Sequence, residues 1–161
     1  MNSLTDLISY FKNGIAENHV DLKYFCYGVV DTILKMISDS RSTIEYPCLL
    51  FETPSYKITG EANQIMKPSF AFTVLDKTNQ GDYENQNQII DSTIEIVLEI
   101  WQKIKRDSKA REVGFRVNLE KEYSIDMVQP PGPDYLIGWR MEVELIHPRS
   151  NCFHPEKWKN L

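Results

Sequence analysis

The stretch that decides the fold is residues 115–146, FRVNLEKEYSIDMVQPPGPDYLIGWRMEVELI. Apolar and polar residues alternate from Phe115 to Met127 and again from Tyr135 to Ile146. That alternation is the period of a β-strand with one buried face. Residues 129–134, QPPGPD, are rich in turn formers and separate the two runs. The sequence therefore predicts an antiparallel hairpin with one apolar face and one charged face.

The charged face of this predicted hairpin is mostly acidic. Its carboxylates are Glu120, Glu122 and Asp126 on the first strand and Glu142 and Glu144 on the second. Like charges that face each other across a hairpin repel. We expect Arg116 and Arg140 to relieve this repulsion, and Lys121 not to, because alternation places Lys121 on the apolar side. The five carboxylates are interpreted as a solvated surface, which either prevents nonspecific sticking or is the predicted contact area for a basic partner.

A long amphipathic helix is predicted over residues 83–107. Its apolar stripe is formed by Ile90, Ile94, Val97, Trp101 and Ile104, which recur at spacings of four and three. A helix of this length can lie across a whole sheet. The stripe is short and broader than a coiled-coil seam, so packing on the sheet is favoured over a coiled coil.

Shorter segments complete the predicted element order α-β-α-β-β-α-β-β. They are helices at 3–13 and 29–40 and strands at 22–28, 48–59 and 69–77. Pro54 interrupts the segment 48–59, which favours an edge strand or a bulge, and this segment is the predicted antiparallel partner of 69–77. The prediction is a single α+β domain over residues 1–161, with an antiparallel sheet, helices packed on one face, and an irregular tail at 148–161.

Composition and charge narrow the class of protein. The chain has 161 residues, of which 42% are apolar and 25% charged, and this excludes a disordered or fibrous protein. Its net charge of −5 argues against nonspecific nucleic-acid binding, which requires a basic surplus. We find no signal-like N-terminus and no apolar run that approaches the ~18 residues of a membrane span. The expectation is a soluble protein made in the cytoplasm, with no membrane partner.

Three residues near the C-terminus, His147, Cys152 and His154, are candidate metal ligands. Structural zinc sites use four ligands, usually in paired spacings. Here the fourth ligand would have to be Glu156 or His19, brought in from elsewhere in the chain. Packing or hydrogen bonding of these side chains is therefore favoured over metal binding.

Catalytic chemistry has little support in the sequence. Cys26 and Cys48 lie in apolar contexts and are interpreted as buried thiols. The sequence contains no Gly-x-Ser-x-Gly elbow and no Gly-rich phosphate motif. It therefore predicts no enzyme activity, no catalytic residue and no cofactor.

The order of elements resembles the small bacteriophage tail-completion proteins of the tail terminator type. The similarity covers about residues 20–147 and includes the strand led by proline at Pro47–Phe51, a strand pair before one long helix, and a return strand, Ile137–Val143, that carries a tryptophan. The resemblance implies a compact domain whose copies form a ring, often six-fold, that caps the tail tube. It implies no catalytic or ligand-binding residue.

Two functions are expected from these observations. The first is a structural assembly protein of a phage or phage-like tail, which forms a homo-oligomeric ring at the tail end or the head–tail junction. Its partners would be other copies of itself and tail-tube or head-completion proteins, and it would end up in the particle. The alternative is a small cytosolic binding module that recognises a protein or ligand on the acidic hairpin face without catalysis.

Overall fold

The computed structural model describes residues 4–39, 43–59, 65–110, 116–132 and 134–148. Its elements, in chain order, are helix α1 (Leu4–Ser9), a π-helical segment (Tyr10–Ala16), β1 (Tyr24–Gly28), α2 (Val30–Ser38), β2 (Cys48–Glu52), β3 (Ser55–Thr59), β4 (Ile65–Thr78), α3 (Tyr83–Ala110), β5 (Arg116–Val117), β6 (Ile125–Val128) and β7 (Tyr135–Pro148). The seven strands form one sheet in the order β1-β2-β4-β7-β5, with β3 beside β4 and β6 beside β7. The predicted α+β class is confirmed.

The centre of the sheet is the antiparallel pair of β4 and β7, which are 14 residues long each. Strands β2 and β3 lie one after the other along one side of β4. Strands β5 and β6 lie in the same way along the outer side of β7. The predicted antiparallel pairing of 48–59 with 69–77 is confirmed, and Pro54 falls between β2 and β3.

The expectation of an edge strand at residues 48–59 is wrong for β2. This strand lies between β1 and β4, and the first four of its five residues, Cys48–Phe51, are buried. Pro54 costs no ladder hydrogen bond in β2, because the strand has already ended at Glu52. The proline therefore separates two strands that share one partner.

The prediction of a purely antiparallel sheet is also wrong, because β1 pairs with β2 in parallel, with Tyr24 opposite Cys48 and Gly28 opposite Glu52. The connection between these two strands is α2. Parallel neighbours need such a crossover, because the chain has to return to the end of the sheet where the first strand began.

The helices lie on both faces of the sheet, which corrects the prediction that they share one. The larger core joins α1, the π-helical segment and α3 to one face, through residues such as Phe11, Phe51 and Val97. The smaller core joins α2 to the opposite face, through Ile33 and Leu50. Successive residues of a strand point to opposite faces. Strand β2 is apolar at four consecutive positions because both of its faces are covered.

The N-terminal helix is anchored to α3 by a polar cluster around the buried carboxylate of Asp107. The Tyr10 hydroxyl donates to this carboxylate at 2.9 Å, and Lys103 Nζ and Arg106 Nε lie 2.8 and 3.1 Å from its oxygens. Burial by itself would raise the pKa of Asp107, but the hydrogen bonds from these three donors outweigh it and lower the pKa. Burial and the bond to Asp107 raise the pKa of Tyr10, so its hydroxyl stays protonated and donates.

Two predicted boundaries differ from the structure. The first helix extends to Ala16 instead of ending near Gly14, and its last part has π-helical bonding, such as the Glu17 N–H donating to the Lys12 carbonyl at 2.9 Å. The first hairpin strand, predicted as continuous from Phe115, is broken into β5 and β6 by residues 118–124. The long helix, predicted over 83–107, is confirmed and extends to Ala110.

Candidate functional site

The face of the sheet that carries α2 is only partly covered by it. Helix α2 packs over one end of β1, β2 and β4. Beyond the helix, alternation along the strands places polar residues on the same face, among them Glu52 on β2, Asp126 on β6, and Arg140 and Glu142 on β7. We call this uncovered area the open sheet face.

A groove of about 480 Å³ lies where α2 meets the open sheet face, and we call it the α2 groove. Its near wall is the apolar side of α2, formed by Val30, Ile33, Leu34 and Ile37. Its floor is formed by β2, β4 and β7, and its far wall by the end of β6 and the start of the following loop, Val128–Pro130. Small-molecule and side-chain pockets commonly measure about 300–1,000 Å³, so the groove has the size of a binding site.

An ion pair between Arg140 and Glu52 lies in the floor of the groove. The guanidinium is bidentate, with Nε donating to Oε1 at 2.7 Å and Nη2 donating to Oε2 at 2.8 Å. The hydrogen bond to Glu52 raises the pKa of Arg140, and the charges of Glu142 and Asp126 raise it further. Three carboxylates therefore surround one cation, and this part of the face carries net negative charge.

The five carboxylates of the predicted acidic face lie in different structural settings. Asp126 lies directly opposite Arg140 in the β6–β7 ladder, and Glu142 accepts from the Ser69 hydroxyl at 2.6 Å. Both belong to the open sheet face. Glu120 and Glu122 are exposed in the irregular stretch between β5 and β6, away from any strand pairing.

The fifth carboxylate, Glu144, is held by neighbours from the break between β5 and β6. The Asn118 amide donates to its Oε1 at 2.7 Å, and Lys121 Nζ lies 3.5 Å from its Oε2. The expectation that Lys121 cannot reach the acidic face is wrong. Because the chain leaves the strand after Val117, the alternation that placed Lys121 on the apolar side does not apply there.

Most of the predicted metal ligands near the C-terminus are not among the residues that the structure describes. Cys152 and His154 lie outside the described residues, and for His147 only the backbone, in β7, is described. The prediction of packing over metal binding stays a prediction.

A different group of possible ligands, His19, Asp21 and Glu99, has donor atoms within 4.8 Å of one another. His19 Nδ1 accepts from the Asp21 backbone N–H at 3.3 Å, and Nε2 lies 2.9 Å from Glu99 Oε2. With Nδ1 accepting from the backbone, Nε2 is the ring nitrogen that can donate to Glu99. This arrangement fits a hydrogen bond that fastens the segment after the π-helix to α3.

Both cysteines in the described residues are buried, as predicted. Burial raises the pKa of Cys26 and raises that of Cys48 to about 12. The thiolate is the nucleophilic form of cysteine, and at neutral pH both side chains remain thiols. These two cysteines therefore have the properties of core residues.

The groove and the bidentate pair in its floor were missed by reasoning from sequence. The signal was the run CLLFE at residues 48–52, because four consecutive apolar residues indicate a strand that is buried on both faces. That pattern places a helix on each side of β2, and a charged residue at its end beside the second helix.

None of the helices in the described ranges is long and apolar enough to cross a membrane. Neither a protein-family model nor a curated protein matches this chain.

Proposed function

We propose that this chain is a non-catalytic structural assembly protein of a phage or phage-like tail. It forms a homo-oligomeric ring at the tail end or the head–tail junction. The order of its elements supports this proposal, because it resembles that of tail terminator proteins. A ring protein needs self-complementary surfaces and partner surfaces, and it needs no active site.

The observation that carries the proposal is the pair of sheet edges. Strands β1 and β3 on one side of the sheet and strands β5 and β6 on the other each pair with a single neighbour among the described strands. An edge strand presents unpaired N–H and C=O groups to another chain. Pairing of one edge with the opposite edge of the next copy is a head-to-tail contact, and such contacts close into a ring when the rotation permits.

Exposed apolar side chains accompany both edges. Leu119 and Met127, at the β5–β6 edge, are 59% and 55% exposed. Val29, directly after β1, is 53% exposed. Apolar side chains gathered at sheet edges are typical of surfaces that become buried by association. These residues are therefore the expected contacts between copies.

The test is size-exclusion chromatography with light scattering on the wild-type chain and on Met127→Lys. Lysine on an edge strand opposes edge pairing. The wild type is expected to elute as a multiple of the 18.8 kDa chain, and Met127→Lys as a smaller species. Val20→Lys is the matched control, because Val20 is 93% exposed in a loop before β1. A wild-type monomer at micromolar concentration would contradict the proposal.

The neighbouring genes give an independent test. Genes for capsid, tail-tube or tape-measure proteins beside the gene for this chain would support the proposal and indicate its partners. Genes of unrelated metabolism on both sides would contradict it.

A second candidate function is a small binding module that recognises a protein or ligand without catalysis. The α2 groove favours it, since the groove combines an apolar wall with charged groups on the adjoining strands. A monomer that binds a ligand in this groove is the outcome that separates it from the ring protein.

A further inference from the structure

We propose that the α2 groove, with the acidic open sheet face beside it, binds a segment of a partner protein in which a large apolar side chain is flanked by lysine or arginine. The apolar side chain enters the groove, and the flanking cations contact the carboxylates of the open sheet face. This inference holds for the monomer and for an assembled ring alike.

The first step in the argument is the unfilled apolar wall. Ile33 and Ile37 are buried, whereas Leu34 is half-buried and Val30 is 47% exposed on the same side of α2. Val128 across the groove is half-buried as well. An aliphatic side chain placed between these residues would remove apolar surface from water on both sides, which is favourable at about 25 cal/mol per Å².

The second step is the sign of the charge beside the groove. Glu52, Asp126 and Glu142 contribute three negative charges around the single positive charge of Arg140. The guanidinium is already engaged by both oxygens of Glu52. An anionic ligand would have to compete with that carboxylate and face two more, while a cation is attracted to Asp126 and Glu142.

The third step is the spacing of these groups. Glu142 is two residues beyond Arg140 on β7, about 7 Å along the strand, and Asp126 faces Arg140 from the neighbouring strand. The attractive charges are thus spread along the sheet, on one side of an apolar groove. A peptide with an apolar anchor and separate flanking cations matches this spread, because protein interfaces combine an apolar core with a polar rim.

The experiment uses two synthetic 14-residue peptides with leucines at helical spacing, one with lysine and one with glutamate at all other positions. Each carries a fluorescein label, and binding to the full chain is followed by fluorescence anisotropy at low and high salt. We expect the lysine peptide to bind at least about tenfold more tightly than the glutamate peptide, and its affinity to fall with salt.

Two sets of variants locate the binding. Leu34→Gln removes an apolar wall residue and keeps a good helix former, and we expect about tenfold weaker binding. Asp126→Asn combined with Glu142→Gln is expected to weaken binding about threefold and to reduce its salt dependence. Leu98→Gln, an exposed leucine on α3, is the matched control and is expected to leave the affinity unchanged.

Several results would overturn the inference. They are equal binding of the two peptides, no binding of the lysine peptide at millimolar concentration, and an affinity that Leu34→Gln leaves unchanged. Binding of dodecylammonium in the groove without binding of the peptide would assign the site to a small amphiphile instead. If Leu34→Gln fails to fold by circular dichroism, Val30→Gln replaces it, because Val30 is more exposed.

Discussion

Among the described glycines, Gly138 in the middle of the sheet lies closest to the backbone of a neighbouring strand. A Cβ atom built on Gly138 would lie 1.9 Å from the Val74 carbonyl oxygen and 3.0 Å from the Leu75 Cα. These are backbone atoms of β4, so no side chain can turn away to make room. Strand β4 would have to move by about 1.1 Å to restore a distance of 3.0 Å.

The cost of Gly138→Ala can be worked out from the sheet around it. A shift of that size loosens about two neighbouring hydrogen bonds between β4 and β7, at about 1 kcal/mol each. Overpacking in a tight core adds about 1–3 kcal/mol. We therefore expect the free energy of unfolding to fall by about 3–5 kcal/mol. For a chain of this length, that lowers the Tm by about 6–20 °C.

The assay is urea and thermal denaturation, followed by far-UV circular dichroism and tryptophan fluorescence. Trp139 directly follows Gly138 and donates from Nε1 to the Ile90 carbonyl of α3 at 2.9 Å, so its fluorescence reports the same region. Gly28→Ala is the matched control, because a Cβ there meets only side-chain atoms at 3.7 Å, an ordinary contact. A loss of less than about 1 kcal/mol in Gly138→Ala would refute the close approach of β4 and β7.

Three further predictions concern charged and buried groups. Asp107→Asn should lower the free energy of unfolding at pH 7 by about 2–3 kcal/mol. Hydrogen-bond donors around Asp107 lower the pKa of its carboxyl group despite its burial. The ionised carboxylate therefore stabilises the folded state above about pH 4, and this stabilisation is lost as the pH falls further. In acid denaturation, the wild type and Asp107→Asn should have the same free energy of unfolding below about pH 4. Glu52→Gln should destabilise by about 1–3 kcal/mol, and a double-mutant cycle with Arg140→Met should show coupling of at least about 1 kcal/mol; additive losses would exclude a functional ion pair. Cys48 should resist alkylation at pH 8 in the native protein and react fully in urea, as mass spectrometry of the digest would show; rapid native labelling would contradict its burial and its pKa of about 12.

The elements with a long, regular period could be predicted from the sequence. The stripe that begins at Ile90 predicts α3, and the alternation around Phe72 and Met141 predicts the central strands β4 and β7. Periodicity is informative there because each element packs one face against the larger core. The boundaries of α3 and β7 follow within a few residues.

The break in the hairpin could not be predicted from alternation. Apart from Lys121, polar and apolar residues continue to alternate through 118–124, although the chain there is not a strand. The local hydrogen bonds explain the break: Asn118 Oδ1 accepts from the Glu120 N–H at 3.3 Å, and the Tyr123 hydroxyl lies 2.7 Å from the Asn118 carbonyl oxygen. Asparagine favours such turns, so the signal was a single residue inside a regular pattern.

The candidate site was hidden for a topological reason. Its geometry depends on α2 crossing to the face opposite α3, which follows from the parallel pairing of β1 and β2. Of the five predicted contact carboxylates, Asp126 and Glu142 belong to the site, and their strand positions were correct. Glu52 and Arg140 come from strands that are far apart in sequence, and no local pattern joins them.

The central claim is that copies of this chain assemble into a closed ring. Native mass spectrometry of the purified 161-residue chain at micromolar concentration tests it most directly. The account predicts one dominant species whose mass is a single small multiple of 18.8 kDa. A spectrum that contains only the 18.8 kDa monomer, or a ladder of masses without a preferred number of copies, would contradict it.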